Sequence, residues 1–119
     1  MSTILLTKEN GVGYITFNRP DKFNSFNREM ALAYQEALDN CEDDETVRSI
    51  YVSAVGKAFC AGQDLAEAID PQGPELEKIV REHYNPIIIR MRKIEKPIVV
   101  AVNGVAAGAG ANIALAGDI

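Results

Sequence analysis

Short apolar runs predict the β-strands of this chain. Residues 4–8 and 12–17 have the composition of two strands, and the Asn-Gly pair between them supplies the positive φ angles that a tight hairpin turn needs. Residues 47–55 and 98–102 are rich in Val and Ile, which is typical of buried strands. The pattern therefore predicts a hairpin followed by two further strands.

Apolar residues spaced three and four apart predict the helices. One helix is expected to begin after Asn27, which can cap its first NH groups, and to end within residues 40–45. After a loop at residues 70–74, a longer helix is expected, with a kink at Pro86. Its apolar face is formed by Leu76, Ile79, Val80, His83, Ile87, Met91 and Ile94. This alternation of strands and helices predicts an α/β fold built from βαβ units.

Two glycine-centred turns carry the candidate chemistry. The segments FCAGQDL (59–65) and NGVAAGAGAN (103–112) each follow a strand-like run and open a helix-like run. The first NH groups of a helix lack partners and carry partial positive charge, so two facing helix starts would hold an oxygen that becomes negative. Enzymes that form an enolate or another oxyanion need this arrangement. The alternative for each turn alone is that Gly62 or Gly108 only permits a tight bend.

These motifs resemble the crotonase (enoyl-CoA hydratase/isomerase) superfamily. The segments NRP (18–20), AFCAGQDL (58–65) and KPIVVAVNG (96–104) occur in the order of that family. The resemblance implies a crotonase-like spiral of βαβ units, truncated before the C-terminal helices. The 119 residues are then expected to be the N-terminal part of a crotonase-like acyl-CoA-binding domain. Motifs at 62–65, 70–74, 84–86 and 103–111 resemble the isomerase branch that acts on ring-1,2-epoxyphenylacetyl-CoA in phenylacetate degradation.

The resemblance also implies a thioester site. The backbone NH groups of Gln63 and Ala109 are expected to form an oxyanion hole for the carbonyl of an acyl-CoA, and their side chains are incidental to that role. No metal and no separate cofactor are expected, because coenzyme A is part of the substrate. The expected substrate-binding residues are Lys22, Ala61, Gly62, Asp64, Leu65, Gly108 and Asn112.

Asn112 favours an isomerase over a hydratase. Hydratases of the family carry a glutamate at this motif position, and an asparagine cannot transfer a proton at neutral pH. Asn112 then either orients the substrate or only packs and caps. The acid/base carboxylate of the isomerase branch is expected beyond Ile119. The alternatives are an enoyl-CoA hydratase and a non-catalytic CoA-binding or assembly fragment.

Other polar residues have structural alternatives. Asp64 is expected to cap the helix that begins at Leu65 rather than to act in catalysis. Arg19, Lys22 and Lys57 either attract the phosphates of CoA or are exposed cations. The single histidine, His83, is expected to be a partly buried structural residue rather than a base. An aromatic acyl group in contact with Tyr84 or Ile87 is a further possibility.

Composition and spacing exclude several other classes of function. With 12 basic and 17 acidic residues, the net charge of −5 argues against a nucleic-acid or anionic-membrane partner. Gly104, Gly108 and Gly110 do not fit the dinucleotide-binding spacing. The wide separation of Cys41 and Cys60 predicts two reduced thiols. We expect a cytoplasmic protein, and the resemblance implies a homotrimer or a dimer of trimers.

Overall fold

The computed structural model describes residues 2–73 and 75–119, in which strands and helices alternate as the sequence predicts. The strands are β1 (Ile4–Glu9), β2 (Val12–Phe17), β3 (Ser49–Ala54), β4 (Ala58–Cys60), β5 (Ile98–Val100) and β6 (Val105–Ala106). The helices are α1 (Arg28–Asp43), α2 (Leu65–Ile69), α3 (Leu76–Ile79), α4 (Asn85–Lys93) and α5 (Ala109–Leu115), with a 3₁₀ turn at Pro20–Lys22 and a π-helical segment at Val80–Tyr84. No helix in this described part of the chain is both long and apolar enough to cross a membrane.

The larger sheet has four strands in the order β1-β2-β3-β5. The β1-β2 pair is antiparallel and is joined by the predicted tight turn, whereas β2-β3 and β3-β5 are parallel. Parallel neighbours need a crossover between them, and α1 provides it between β2 and β3. The fold is therefore α/β, as predicted.

Helix α1 covers one face of this sheet. Its predicted N-cap is confirmed, since Asn27 Oδ1 accepts a hydrogen bond from the Met30 NH at 3.0 Å. Tyr34 of α1 is fully buried, with its ring 5.1 Å from that of Phe17 in β2. Phe17 also lies 5.1 Å from Phe26 and from Phe59, measured between ring centroids. This aromatic cluster joins the sheet, α1 and the start of the first glycine turn into one core.

The long helix predicted after residue 75 is divided into three segments. The π-helical segment Val80–Tyr84 lies immediately before Pro86, whose ring nitrogen has no hydrogen to donate to the carbonyl of Glu82. The side chain of Gln35 compensates, because its Nε2 donates to the carbonyls of Glu82 at 2.8 Å and His83 at 3.1 Å. Pro86 thus does interrupt the regular α-helix, but the change occurs before it.

The predicted apolar face is correct only in part. Ile79, Ile87 and Met91 are buried, whereas Leu76 and Val80 are exposed. The prediction assumed regular α-helical spacing up to the kink at Pro86, and the wider π turn before it changes which side chains share a face. The predicted loop at residues 70–74 lies between α2 and α3, and its last residue, Pro74, falls outside the described residues.

The second sheet was not predicted and consists of β4 and β6 in parallel. These two short strands immediately precede the two glycine turns, and the Ala107 NH donates to the Cys60 carbonyl at 3.1 Å. Because parallel strands run in the same direction, the turns that follow them emerge at the same edge. The pairing of β4 with β6 therefore brings the two glycine turns together.

Candidate active site

The first glycine turn, residues 61–64, is called here the Gln63 turn. Gly62 has a φ of 109°, a conformation that is strained for any residue with a Cβ atom. The turn forms a parallel bridge with Phe26, whose NH donates to the Gly62 carbonyl at 2.7 Å and whose carbonyl accepts from the Asp64 NH at 2.8 Å. In such a bridge, the NH and carbonyl groups of the residue between the two hydrogen-bonded positions, here Gln63, face away from the partner strand. The Gln63 NH therefore points away from Phe26, and no acceptor for it is found among the described residues.

The second turn, residues 107–110, is called the Ala109 turn. Gly108 has a φ of 54° and occupies the N-cap of α5, so Ala109 is the first residue of that helix. Its NH is one of those that a helix leaves without an internal partner. Within the part of the chain that the structure describes, the Ala109 NH meets no acceptor.

The two turns are in direct contact. A Cβ atom built on Gly62 would lie 3.1 Å from the Ala107 carbonyl oxygen and 4.0 Å from the Ala109 nitrogen. Close approach and positive φ thus both require glycine at position 62. The geometry thus brings together two turns from different parts of the sequence, each of which carries a main-chain NH without an acceptor among the described residues.

Asp64 occupies the N-cap of α2. Its side chain accepts from the Glu67 NH at 3.0 Å, as expected for a cap, and forms an ion pair with Arg19 at 2.7 Å. Burial raises the pKa of Asp64, but the hydrogen bonds from the Glu67 NH and from Arg19 outweigh it, so the pKa lies below its ordinary value. The carboxylate is charged at neutral pH and is already occupied by structural contacts.

Arg19 is not the exposed cation that one of the two alternatives predicted, because its guanidinium pairs with Asp64. Its attraction of CoA phosphates, the other alternative, stays a prediction. Besides Asp64, Arg19 contacts Ser25, whose carbonyl accepts from Arg19 Nη1 at 2.9 Å. Lys22 and Lys57 are exposed, as one of the two alternatives predicted. The guanidinium of Arg19 turns toward the protein because the fold brings Asp64, which is 45 positions away in the sequence, next to it.

Sequence reasoning missed the contacts of the Gln63 side chain. The Tyr84 hydroxyl donates to Gln63 Oε1 in a short hydrogen bond, and Gln63 Nε2 donates to Glu67 Oε1 at 3.0 Å. The other carboxylate oxygen of Glu67 accepts from the Arg28 NH at 2.9 Å. The spacing of Gln63 and Glu67 by four residues was a signal for one of these contacts, but nothing local indicated Tyr84.

His83 is fully buried behind this group of polar side chains. Its Nε2 lies 3.5 Å from Arg28 Nη1, and its Nδ1 lies 3.9 Å from Glu67 Oε1, beyond hydrogen-bond distance. Among the described residues, Nδ1 has no hydrogen-bond partner. Burial lowers the pKa of His83, with Arg28 and Lys78 acting in the same direction and Glu67 and Glu82 opposing them. The histidine is a neutral, buried residue, more fully buried than the sequence suggested.

A cavity of about 580 Å³ lies on the outer side of the Gln63 turn. Phe23, which is 57% exposed, contributes an aromatic surface to it. No ion pair of Lys22 is found within the described residues, so its charge is free to meet an anion at this cavity. Five of the residues predicted to form the site line the cavity: Lys22, Ala61, Gln63, Asp64 and Leu65.

Asn112 lies apart from this cavity. Its side chain is exposed at the middle of α5 and lines another cavity, of about 450 Å³, with Ile88, Arg92, Leu115 and Ala116. Gly62, Gly108 and Ala109 belong to the junction of the two turns. The structure thus divides the predicted site residues into the turn junction, the cavity beside it, and Asn112 on the other helix.

The two cysteines are free and buried, in agreement with the expectation of two thiols. Burial raises the pKa of Cys60 to about 11, so its thiol stays protonated at neutral pH and is a poor nucleophile. Cys60 Sγ faces the Gly62 carbonyl at 3.9 Å. We therefore assign Cys60 a structural role, in which its buried side chain packs beneath the Gln63 turn.

Comparison with known proteins now decides the family. The sequence profile of the Enoyl-CoA hydratase/isomerase family matches residues 7–119. The chain belongs to this family. It is 48% identical to the "1,2-epoxyphenylacetyl-CoA isomerase" of Escherichia coli K12, over 100% of this chain and 47% of that protein. It is 38% identical to a "Probable enoyl-CoA hydratase" of Rhodobacter capsulatus, over 98% of this chain and 44% of that protein.

Solved structures of the enoyl-CoA hydratase/isomerase family have the same fold. The crystal structure of a putative enoyl-CoA hydratase/isomerase from Mycobacterium abscessus superposes with a TM-score of 0.90 at 39% identity, covering 98% of this chain and 46% of that one. The predicted crotonase fold is thereby confirmed. The chain spans about half the length of the curated relatives it matches, at 47% and 44%.

Proposed function

We propose that this chain forms the acyl-CoA-binding part of a crotonase-superfamily isomerase that acts on a ring-epoxide of phenylacetyl-CoA. The observation that carries the proposal is the contact of the two turns, each of which has a main-chain NH, of Gln63 and of Ala109, without an acceptor among the described residues. A thioester oxygen placed between them would accept both hydrogen bonds. The similarity to the 1,2-epoxyphenylacetyl-CoA isomerase of Escherichia coli supports the choice of substrate.

The chemistry follows from where charge develops. When a proton leaves the carbon next to a thioester, negative charge moves onto the thioester oxygen. Fixed NH donors stabilise that charge without reorganising, and one such donor is worth about 2.7 to 4 kcal/mol in the transition state. The NH groups need no metal and no nicotinamide for this step, and we propose that neither is required.

The acid/base group does not come from the carboxylates that surround the Gln63 turn. Asp64 is held by the Glu67 NH and Arg19, and both oxygens of Glu67 accept hydrogen bonds from the protein. A general base needs a free lone pair directed at the substrate. We propose that the carboxylate which moves the proton is supplied from outside these 119 residues.

Coenzyme A is proposed to enter along the 580 Å³ cavity. Lys22 offers it a cation and Phe23 an exposed aromatic ring, while the Gln63 turn forms the inner end. This arrangement would place the anionic nucleotide outside and the thioester at the turn junction.

We further propose that the whole protein assembles as a homotrimer or a dimer of trimers, which light scattering would test.

Calorimetric titration of the whole protein that carries this chain tests the proposal. We expect saturable binding of phenylacetyl-CoA without added metal and no binding of NAD. Binding of NAD together with failure to bind any acyl-CoA would defeat it. The 119-residue chain should be titrated in parallel, since binding without turnover is the result expected of a CoA-binding fragment.

Hydratase activity is the second candidate, supported by the Rhodobacter capsulatus relative. Asn112 argues against it, because the amide of this residue cannot transfer a proton. We expect weak or no addition of water to crotonyl-CoA by the parent protein. The Asn112→Glu variant should gain at most weak activity, since one new carboxylate lacks a correctly placed partner. Rapid hydration by the parent would favour the hydratase.

A further inference from the structure

The helix that carries the Gln63 turn has almost no apolar contact with the protein. None of the five side chains of α2, all of them in the described part of the chain, is buried. Leu65 is 75% and Ile69 is 78% exposed. Segments with so little buried surface open easily. A donor for an oxyanion must nevertheless be held within about 0.5 Å of its working position. Polar contacts must therefore position the Gln63 NH, and the backbone bridge to Phe26 is only one of them.

A continuous series of polar contacts, which we call the Tyr84-Gln63-Glu67 chain, meets this need. The Tyr84 hydroxyl donates to Gln63 Oε1, Gln63 Nε2 donates to Glu67 Oε1 at 3.0 Å, and Glu67 Oε2 accepts from the Arg28 NH at 2.9 Å. Arg28 is the first residue of α1, a long helix packed on the sheet. The chain thus joins the turn at one end to the π-helical segment and at the other end to α1.

Each link has one donor and one acceptor that cannot be exchanged. The Glu67 carboxylate can only accept, so it takes the NH₂ group of the Gln63 amide. The carbonyl oxygen of the amide is then left for Tyr84, whose hydroxyl stays protonated because burial raises its pKa, and this hydroxyl donates to it. The terminal amide of Gln63 supplies both the acceptor and the donor that these two contacts need. The identity of residue 63 therefore matters, although its proposed catalytic group is the main-chain NH.

The anchor at Tyr84 is itself held by contacts with the core. Tyr84 is the last residue of the π-helical segment, whose Glu82 and His83 carbonyls are held by the Gln35 amide at 2.8 and 3.1 Å. Its ring centroid lies 6.4 Å from that of the buried Phe26, the residue that also forms the backbone bridge with the Gln63 turn. The same core residue thus braces both ends of the Tyr84-Gln63 contact. The π turn brings Tyr84 to this position.

We propose that Tyr84 and Glu67 are positioning residues, which hold the Gln63 main-chain NH in place through the amide of the Gln63 side chain. This inference rests on the proposed function of that NH as an oxyanion donor. The inference gives a structural role to the side chains of Tyr84, Gln63 and Glu67, which do not take part in the thioester chemistry itself. It also predicts that the side chain and the main chain of residue 63 act together.

The first experiment compares Gln63→Met and Tyr84→Phe in the whole protein, with Glu77→Gln and Tyr51→Phe as matched controls away from the site. Gln63→Met keeps the main-chain NH and the side-chain length but removes both polar ends. We expect kcat with the acyl-CoA substrate to fall about tenfold or more in each variant, with KM changed less than about threefold, because a displaced donor weakens transition-state contacts. The controls should retain parental kcat. A kcat within about twofold of the parent for Gln63→Met would overturn the proposal.

The double variant Gln63→Met/Tyr84→Phe separates positioning from general destabilisation. If Tyr84 acts only through Gln63, the double variant should lose no more kcat than Gln63→Met alone. Losses that multiply would mean that the two side chains act independently, and the inference would be wrong. Thermal melting of each variant is recorded alongside, and the expected melting temperature is within a few degrees of the parent.

A second readout does not depend on turnover. Amide hydrogen exchange over residues 61–68, measured without ligand, should become at least about tenfold faster in Gln63→Met and in Tyr84→Phe but not in the controls, because the chain no longer restrains the turn. Unchanged exchange would overturn the positioning role even if kcat fell. If the parent neither binds nor turns over an acyl-CoA, the proposed function fails, while faster exchange in the variants would still support the structural restraint.

Discussion

The Gln63 turn and the Ala109 turn present the same chemical group but are attached to the protein in different ways. The Gln63 turn is held by hydrogen bonds and by the Asp64-Arg19 ion pair, and its helix α2 has no buried side chain among its described residues. The Ala109 turn is held by close packing, since Gly110 and Ile113 of α5 are buried. A Cβ atom built on Gly110 would lie only 2.2 Å from the Cys60 carbonyl oxygen.

Because of this difference, the two turns should respond differently to substitutions and to pH. Packing against a backbone carbonyl is steric, so it tolerates no added atom and is insensitive to pH. Polar contacts are directional and depend on protonation, so they can be weakened in steps. The predictions below test this contrast, beginning with the largest expected effect.

Gly110→Ala should break the Ala109 turn. The added methyl group would collide with the Cys60 backbone, which cannot move without disrupting the β4-β6 pair. We expect the free energy of unfolding to fall by at least about 3 kcal/mol, the upper end of the usual cost of overpacking. Urea denaturation measures it, with Ala111→Ser as the control. Parental stability in Gly110→Ala would show that α5 is not packed as tightly as described.

Ala109→Pro should remove the chemistry while sparing the fold. Proline lacks the NH but is accepted at the first position of a helix, which Ala109 occupies. We expect turnover to fall about a hundredfold, or about 2.7 kcal/mol of transition-state stabilisation. Ala109→Ser keeps the NH and should retain activity. Circular dichroism and melting check the fold, because proline also restricts Gly108. A folded proline variant that binds acyl-CoA and turns over normally would exclude Ala109 as a donor.

Asp64→Ala should loosen the Gln63 turn without unfolding the protein. The substitution removes the cap of α2 and the partner of Arg19. Loss of an N-cap typically costs about 0.5 to 2 kcal/mol, and that is the decrease in unfolding free energy we expect. Asp64→Asn keeps a capping oxygen and should cost less. Equal losses in the two variants, measured by urea denaturation, would mean that the ion pair rather than the cap matters.

Acid should weaken the region behind the Gln63 turn through His83. The folded protein holds the pKa of His83 below the ordinary histidine value of 6.5, mainly because the ring is buried. Below that pH the unfolded chain binds more protons than the folded one, so stability falls as the pH falls. Urea denaturation at pH 7 and pH 5 should show a larger decrease for the parent than for His83→Gln. An equal decrease in both would locate the acid sensitivity elsewhere.

Local patterns in the sequence were sufficient for most elements. The spacing of apolar residues fixed α1 and its cap at Asn27, and the Asn-Gly pair marked the hairpin between β1 and β2. Capping by Asp64 was also predicted correctly, because an N-cap depends on residues three apart. Each of these features is decided within a few positions of the chain.

Contacts between distant residues were the ones that prediction missed. Arg19 pairs with Asp64, a contact that nothing local in the sequence indicated. The exposed Leu76 and Val80 were placed on a buried face, because the π turn before Pro86 was not foreseen. The roles of Gln63 and Ala109 as donors stay predictions until the variants are measured.

The sequence by itself determined that two glycine turns open two helices, since positive φ and unpaired helix NH groups are local consequences of residue type. Only the tertiary structure decided that they meet. Their junction depends on the pairing of β4 with β6, and the restraint on Gln63 depends on Tyr84, which is 21 positions away in the chain. Such contacts are selected by the packing of the whole core, and no pattern within a single segment encodes which distant partner will be there.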